Sequence, residues 1–197
     1  MVILQYMRYC ITILLILLTQ LITAQTLGGN AVFSFLNQPN TAQATALGGI
    51  NISNLCNDVG LAFNNPALLR KTMHQQLNTS FNSFLAGIKN YSLNTAYHFN
   101  KLNITSALGV NYLNYGSTQQ TDASGNIIGS FTANDYVVQL AASKQYKDNW
   151  FLGATFKFIN SSYGIYKSNA IAADVALAFV DTTHFFQASL VIKNVGT

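Results

Sequence analysis

A period of two in hydrophobicity, beginning near residue 77, is the feature that most constrains this chain. In YSLNTAYHF (91–99), the odd positions carry mainly aromatic and aliphatic side chains, and the even positions carry small or polar ones. Because successive side chains of a β-strand point to opposite faces, this alternation predicts strands with one apolar and one polar face. Seven segments follow the pattern, and five of them are nine to eleven residues long: 77–85, 91–99, 104–112, 136–143, 150–159, 170–180 and 186–192.

Strand length and connection length together favour a transmembrane barrel. Strands of this length are long for a soluble sheet but match the ~9–11 residues that cross a bilayer at a tilt. The two long predicted connections, 116–134 and 160–169, are both odd-numbered, and the even-numbered connections are all short. Outer-membrane barrels have short periplasmic turns and longer external loops. We therefore predict an all-β, antiparallel transmembrane barrel; the alternative is a periplasmic β-sandwich, in which one apolar face is simply buried.

Composition points the same way. Only 8% of the residues are charged, and there is no Glu, whereas ordinary soluble domains contain ~25% charged residues. The Lys and Arg residues are scattered along the chain, but a nucleic-acid surface needs them clustered on one face. We therefore predict a membrane environment and no nucleic-acid partner.

The N-terminus reads as a secretory signal peptide over residues 1–24. Arg8 precedes an apolar run at 11–22, and a small-residue exit follows at 23–25. A transmembrane anchor is the alternative, but the run is shorter than the ~20 residues that span a bilayer as a helix. Cys10 lies before the apolar run, so we expect no lipid on it. Cleavage would leave Cys56 as the single cysteine, which rules out an intrachain disulfide.

Patterns that support catalysis are missing from the sequence. His74, His98 and His184 are isolated, and no phosphate-binding loop or nucleophile motif occurs. We predict no enzymatic activity, no metal site and no cofactor. Lys157 and Asp174 lie on adjacent predicted strands, where we expect them to face each other as a charge pair lining a wet lumen.

Short motifs in residues 34–69 carry a family resemblance: Phe35-Leu36, Pro39, Ala46-Leu47-Gly48-Gly49, Asp58 and Asn65-Pro66-Ala67. Together they resemble the N-terminal region of the FadL-like family of outer-membrane barrels, and within it the members that serve the type IX secretion system of Bacteroidetes. The resemblance implies an N-terminal hatch at 25–75, folded inside the lumen. It also implies that 76–197 is the first half of a barrel of about fourteen strands.

Two backbone devices in the implied hatch follow from residue chemistry. Gly48-Gly49 would allow positive φ angles and a close approach to the barrel wall. Asn65-Pro66 would force an extended exit from the hatch, because a residue before proline avoids the helical region. Seven strands cannot close a barrel, and an open edge in lipid leaves backbone groups unpaired. We therefore expect the chain to be a fragment that does not fold alone.

The resemblance also implies a function and partners. It implies a non-catalytic scaffold that helps to deliver or attach secreted proteins, with outer-membrane lipid and other type IX secretion proteins as partners. One alternative is a FadL-like channel for small hydrophobic molecules, with the hatch as its gate. A second is a soluble periplasmic binding module.

Overall fold

The computed structural model describes residues 33–50 and 52–196. The predicted signal peptide (1–24) and the first part of the predicted hatch (25–32) lie outside the described residues. The chain from Phe33 onward forms one compact unit.

Seven antiparallel strands form a single sheet in which every strand pairs with its neighbours in sequence. This sequential order follows from short turns, which join antiparallel neighbours directly. The predictions of an all-β fold and of seven strands are confirmed. The strands are β1 (Leu77–Ser83), β2 (Lys89–Phe99), β3 (Ile104–Thr121), β4 (Ile127–Lys147), β5 (Trp150–Tyr163), β6 (Tyr166–Asp181) and β7 (Phe186–Gly196).

The two long loops predicted at 116–134 and 160–169 are wrong. Strand β3 continues to Thr121 and β4 begins at Ile127, so only residues 122–126 form a turn. Likewise, β5 and β6 pair as far as Tyr163 and Tyr166, which leaves a two-residue turn. Both stretches are rich in Ser, Thr, Asn and Gln and lack apolar alternation, yet backbone hydrogen bonds alone suffice to continue a ladder. The two ends of the sheet therefore differ because β3, β4, β5 and β6 extend further at one end. They do not differ through long loops.

The two faces of the sheet show the reverse of the arrangement in soluble proteins, because the apolar face is exposed and the polar face is buried. Large apolar side chains on one face are exposed, including Leu140 at 58%, Phe156 at 54% and Val175 at 61%. On the opposite face, Asn94 and Gln139 are each only 2% exposed. Soluble antiparallel sheets bury the apolar face and leave the polar one in water. We refer to these as the exposed face and the covered face.

The N-terminal segment, residues 33–50 and 52–76, packs on the covered face. It contains one short helix, α1 (Ala42–Ala46), and 3-10 helices at Ser34–Asn37, Val59–Phe63, Pro66–Leu68 and Lys71–Met73; a further 3-10 turn, Leu85–Gly87, joins β1 to β2. None of the helices in residues 33–50 and 52–196 combines the length and the apolar character needed to cross a membrane.

Small apolar clusters attach this segment to the sheet. One joins Phe35 and Phe63 to Leu113, Val137 and Ile159 of β3, β4 and β5. Two others contain alanines of the sheet, with Val59, Leu69 and Met73 in one and Ala67 in the other. Alanine at these sheet positions lets the segment lie close to the backbone of the strands.

Candidate functional site: the covered face and the N-terminal segment

Polar side chains on the covered face are buried under the N-terminal segment. They come from β2 to β6 and comprise Asn90, Ser92, Asn94, His98, Thr105, Asn111, Asp135, Gln139, Ser143, Thr155, Lys157, Ser161 and Asp174. Several hold the segment directly: Ser92 Oγ donates to Asn40 O at 2.5 Å, and Asn90 Nδ2 donates to Pro39 O at 3.4 Å. Pro39, one of the motif residues, therefore lies against β2.

The backbone conformation explains why glycine occurs at positions 48 and 49. Their φ angles are +90° and +112°, a region that favours glycine. A Cβ atom at either position would meet no other described residue within 4 Å. These two glycines therefore do not approach the seven described strands closely, and their expected approach to a barrel wall stays a prediction. The positive φ angles by themselves explain the residue type.

The close approach occurs instead where Gly153 of β5 meets the Asn65-Pro66-Ala67 step. A Cβ atom on Gly153 would overlap the backbone of Pro66 and Ala67. Asn65 precedes the proline with φ −149° and ψ 106°, the extended conformation that a residue before proline favours. The sequence motif identified Asn65-Pro66-Ala67 in the predicted hatch but not Gly153. A contact between segments that are distant along the chain leaves no local pattern in the sequence.

The side-chain amide of Asn65 makes hydrogen bonds through both its oxygen and its nitrogen. Its Oδ1 accepts a hydrogen bond from Ala67 N at 2.8 Å, which caps the helix Pro66–Leu68. Its Nδ2 donates to Ile52 O at 2.6 Å, which joins the step to an earlier part of the segment. The side chain is fully buried, and its bond to Ala67 N is shielded from competing water.

Asp58 ties the segment to the first strand. Its Oδ1 accepts from Gly60 N at 2.8 Å and from Asn78 Nδ2 of β1 at 2.9 Å. The first bond caps the helix Val59–Phe63, and the second reaches across to the sheet. The Asp58 carboxylate thus caps the helix that follows it and also bonds a residue of β1 that is distant along the chain.

Lys157 and Asp174 lie on paired strands β5 and β6 with Nζ and Oδ2 2.6 Å apart, and the side chains are 2% and 1% exposed. Asn194 of β7 completes the group: its Oδ1 accepts from Lys157 Nζ at 2.8 Å, and its backbone N donates to Asp174 Oδ1 at 2.7 Å. Asn194 has a φ of +57° at a register shift between β6 and β7. The charge pair therefore also holds the β-bulge of the seventh strand, a role of Asn194 that sequence reasoning missed.

Arg70 is a third residue that sequence reasoning missed. Its guanidinium carbon lies 3.5 Å from the centroid of the Phe151 ring, and Nη1 donates to Leu69 O at 2.9 Å and to Ala67 O at 2.5 Å. Burial lowers the pKa of Arg70 to about 10, so it remains charged at neutral pH. A cationic guanidinium over an aromatic ring, with carbonyls as acceptors, fastens the segment to β5.

Within residues 33–50 and 52–196, a cavity borders the N-terminal segment at each end of the strands. One, of about 460 Å³, lies near the β2–β3 and β4–β5 turns, and Arg70, Lys71, His98, Ser143 and Gln145 contribute to its lining without any carboxylate. The other, of about 430 Å³, lies at the end with the strand extensions and is lined mainly by apolar side chains: Phe35, Phe84, Leu85, Ile88, Leu113 and Tyr115. The side chains that line the second cavity are more uniformly apolar than those that line the first.

His74 and His98 contact each other, and His184 lies at a different turn. Nδ1 of His98 lies 2.9 Å from Thr105 Oγ1, while His74 Nδ1 accepts from the backbone N of His98 at 3.0 Å. His184 pairs with Asp181 at 2.7 Å at the β6–β7 turn. Across residues 33–50 and 52–196, no three His, Cys, Asp or Glu side chains are grouped so as to hold a metal ion.

A scan against protein-family models finds no match to this chain, and a search of curated proteins finds no relative.

Proposed function

We propose that this chain belongs to an outer-membrane β-barrel that acts as a non-catalytic scaffold in type IX protein secretion, similar to PorQ. In this proposal the exposed face contacts lipid, and the covered face lines the lumen. The N-terminal segment acts as the hatch, and the complete barrel has about fourteen strands. The partners are outer-membrane lipid and other proteins of the secretion system.

The inversion of the two sheet faces is the observation that supports this proposal most strongly. Apolar side chains are exposed on all seven strands, with Phe81, Leu93, Leu108, Leu140, Phe156, Ile171 and Leu190 between 45% and 66% exposed. A patch of this size on a soluble protein promotes aggregation, whereas a bilayer covers it. A periplasmic β-sandwich would instead place these side chains in its core.

The covered face fits a wet lumen. Asn90 Oδ1, Asn111 Oδ1 and Gln139 Oε1 are buried, and no group in the described ranges bonds them. In a dry core each such atom would cost about 1–3 kcal/mol. A lumen that admits water removes this cost.

Several contacts hold the proposed hatch in place, and this favours a scaffold function over a channel function. The segment is held by the Asp58–Asn78 bond, by Arg70 over Phe151 and by the close contact of Ala67 with Gly153. A gate that opens must break all of these contacts together. We therefore assign the hatch a static role, closing the lumen while the barrel binds its partners elsewhere.

The second candidate function is a FadL-like channel for small hydrophobic molecules. The apolar cavity of about 430 Å³ beside the segment favours it. In that case the ligand would lie between Phe35, Phe84 and Leu113.

Deletion of the complete gene separates the two candidates. Loss of surface delivery of cargo bearing a type IX C-terminal signal supports the scaffold. Normal delivery with impaired growth on long-chain lipids supports the channel and overturns the scaffold. Complementation with the wild-type gene is the control in both assays.

A further inference from the structure

The cavity of about 460 Å³ lies between the N-terminal segment and the covered face, near the β2–β3 and β4–β5 turns. Residues 55–57 and 69–72 of the segment form one side of it. The sheet forms the other side with His98, Thr105, Ser143, Gln145 and Phe151. Its volume falls within the range of ~300–1,000 Å³ that is typical of small-molecule sites.

The fixed charges around this cavity are positive. Arg70 and Lys71 both line it, and within the described ranges no Asp does; the chain contains no Glu. A cleft that is lined by charges of one sign and partly by apolar walls concentrates their potential and attracts ions of the opposite sign. The cavity therefore favours an anion.

Two buried hydrogen-bond donors at this cavity have no acceptor. Arg70 uses Nη1 for the carbonyl oxygens of Ala67 and Leu69, but its Nη2 is buried and bonds no group in the described ranges. Ser143 is 4% exposed, and its Oγ also lacks a partner there. A buried donor without an acceptor is unfavourable, and a ligand that brings oxygen atoms removes this cost.

The strand register places these two donors in the same corner of the cavity. Ser143 of β4 pairs with Gly153 of β5. Gly153 lies against the backbone of Ala67, whose carbonyl oxygen accepts from Arg70. The guanidinium also stacks over Phe151, two residues before Gly153 and on the same face of β5. The guanidinium of Arg70 thus lies over β5, beside the strand that carries Ser143.

We propose that this cavity binds a small soluble oxyanion, meaning a molecule that carries a carboxylate or a phosphate group. Arg70 Nη2 and Ser143 Oγ donate to its oxygen atoms, and Lys71 supplies a second positive charge. Hydrogen bonds to an ionised acceptor are shorter and stronger than neutral ones. The apolar side chains of Leu55 and Leu69 leave room beside the anionic group for a short apolar part.

The position of the cavity favours a soluble ligand over a lipid headgroup. The cavity opens on the covered face, whereas lipid contacts the exposed face in the proposed function. A lipid would have to leave the bilayer to reach Arg70. This inference goes beyond the proposed function, because a scaffold needs no small-molecule ligand.

Cys56 lines the cavity and is partly exposed, so its thiol can report occupancy. The protein produced from the complete gene is reconstituted in phosphatidylcholine bilayers and treated with iodoacetamide, which is uncharged. Mass spectrometry of the peptide that contains Cys56 gives the rate of alkylation. Potassium phosphate is the probe, and potassium chloride at equal ionic strength and pH is the control, so that screening is the same in both.

Phosphate at about ten times its Kd is expected to slow alkylation of Cys56 about tenfold relative to chloride. Ser143→Ala is expected to raise the Kd for phosphate about tenfold, because it removes a donor to the anion. Lys71→Gln is expected to raise it about two- to fivefold, since this side chain is exposed. Lys101→Gln removes the same charge at the β2–β3 turn, outside the cavity lining, and is the matched control that should bind phosphate as the wild type does.

The sign of the local potential provides a second measurement. A methanethiosulfonate reagent that carries a sulfonate is expected to react with Cys56 about tenfold faster than one that carries a trimethylammonium group, after each rate is divided by that for a free cysteine peptide. Lys71→Gln is expected to reduce this ratio, and Lys101→Gln is expected to keep it. Neither variant removes Arg70, which also holds the N-terminal segment, so the segment stays in place.

Equal alkylation rates in phosphate and chloride would overturn the proposal. Slowing that persists unchanged in both Ser143→Ala and Lys71→Gln would also overturn it, because phosphate would then act elsewhere. Slowing caused by phosphatidylglycerol in the bilayer without added phosphate would assign the site to a lipid headgroup and overturn a soluble ligand. Secretion of cargo is measured separately by gene deletion, so failure of this site is distinguishable from failure of the proposed function.

Discussion

Lys157 and Asp174 form an ion pair 2.6 Å long between neighbouring strands, and neither side chain is more than 2% exposed. Each partner compensates a charge that would otherwise be buried alone. Asn194 adds a hydrogen bond to each of them, so the pair joins three strands.

Removing one charge should therefore destabilise the protein. We expect Asp174→Asn to lower the free energy of unfolding by about 1–3 kcal/mol, because Lys157 then keeps only the Asn194 oxygen as a partner and water in the lumen offsets part of the loss. Urea unfolding of the lipid-reconstituted protein measures this change. Asp148→Asn, at an exposed turn carboxylate, is the matched control and should change little. A similar loss in both variants would show that pairing with Lys157 is not the cause.

Gly153→Ala should displace the N-terminal segment. The added Cβ overlaps the backbone of Pro66 and Ala67, which cannot rotate away as a side chain does. We expect faster proteolysis of the chain between residues 52 and 76, measured by limited digestion and mass spectrometry. Gly129→Ala is the control, since its nearest neighbour to a Cβ, Gln120 Oε1, lies 4.0 Å away. Unchanged digestion of Gly153→Ala would contradict this packing.

The single tryptophan reports membrane insertion. Trp150 begins β5 on the exposed face, packs edge-on against Phe179 with ring centroids 5.0 Å apart, and is 38% exposed. We expect brominated lipids to quench its fluorescence, because the exposed face lies in the bilayer in the proposed function. A Trp150→Phe, Tyr166→Trp variant places the probe at the extended end of the sheet and should be quenched less. Absence of quenching at Trp150 would favour a soluble protein.

The β3–β4 turn should respond to acid. The side-chain hydrogen bond from Asn126, together with backbone donors, lowers the pKa of Asp122 below its usual value of 3.8. The order of the turn is therefore fully present above the usual carboxyl pKa and is lost as the pH falls through the lowered value. Amide shifts of Ser124 and Asn126 measured by NMR should follow this titration. The same shifts in Asp122→Asn should be independent of pH over this range; a retained transition would assign it to another group.

Some features were predictable because they depend on local chemistry. Alternation along β2, β5 and β6 identified those strands and both faces, since side chains of a strand point to opposite sides whatever the strand pairs with. The proline in Asn65-Pro66 indicated an extended residue before it for the same kind of reason. Lys157 and Asp174 were placed on adjacent strands from their positions in two neighbouring segments.

Other features depend on contacts between distant residues. The strand extensions at 116–121 and 127–134 have no apolar period, and only pairing with each other makes them strands. Arg70 and Gly153 acquire their roles from Phe151 and Ala67, which lie far away along the chain. No local pattern in the sequence marks such contacts.

The sequence by itself determined that this chain forms antiparallel strands with one apolar and one polar face, because a period of two is a property of the extended backbone. Only the tertiary structure decided that the N-terminal segment covers the polar face and that the apolar face stays exposed. The physical reason is that Asn90 and Ser92 on that face bond to the backbone of the segment, and that apolar side chains of the segment, with Phe35 and Phe63 among them, pack against small and apolar residues of the same face. That choice of face is what supports a membrane protein over a soluble one.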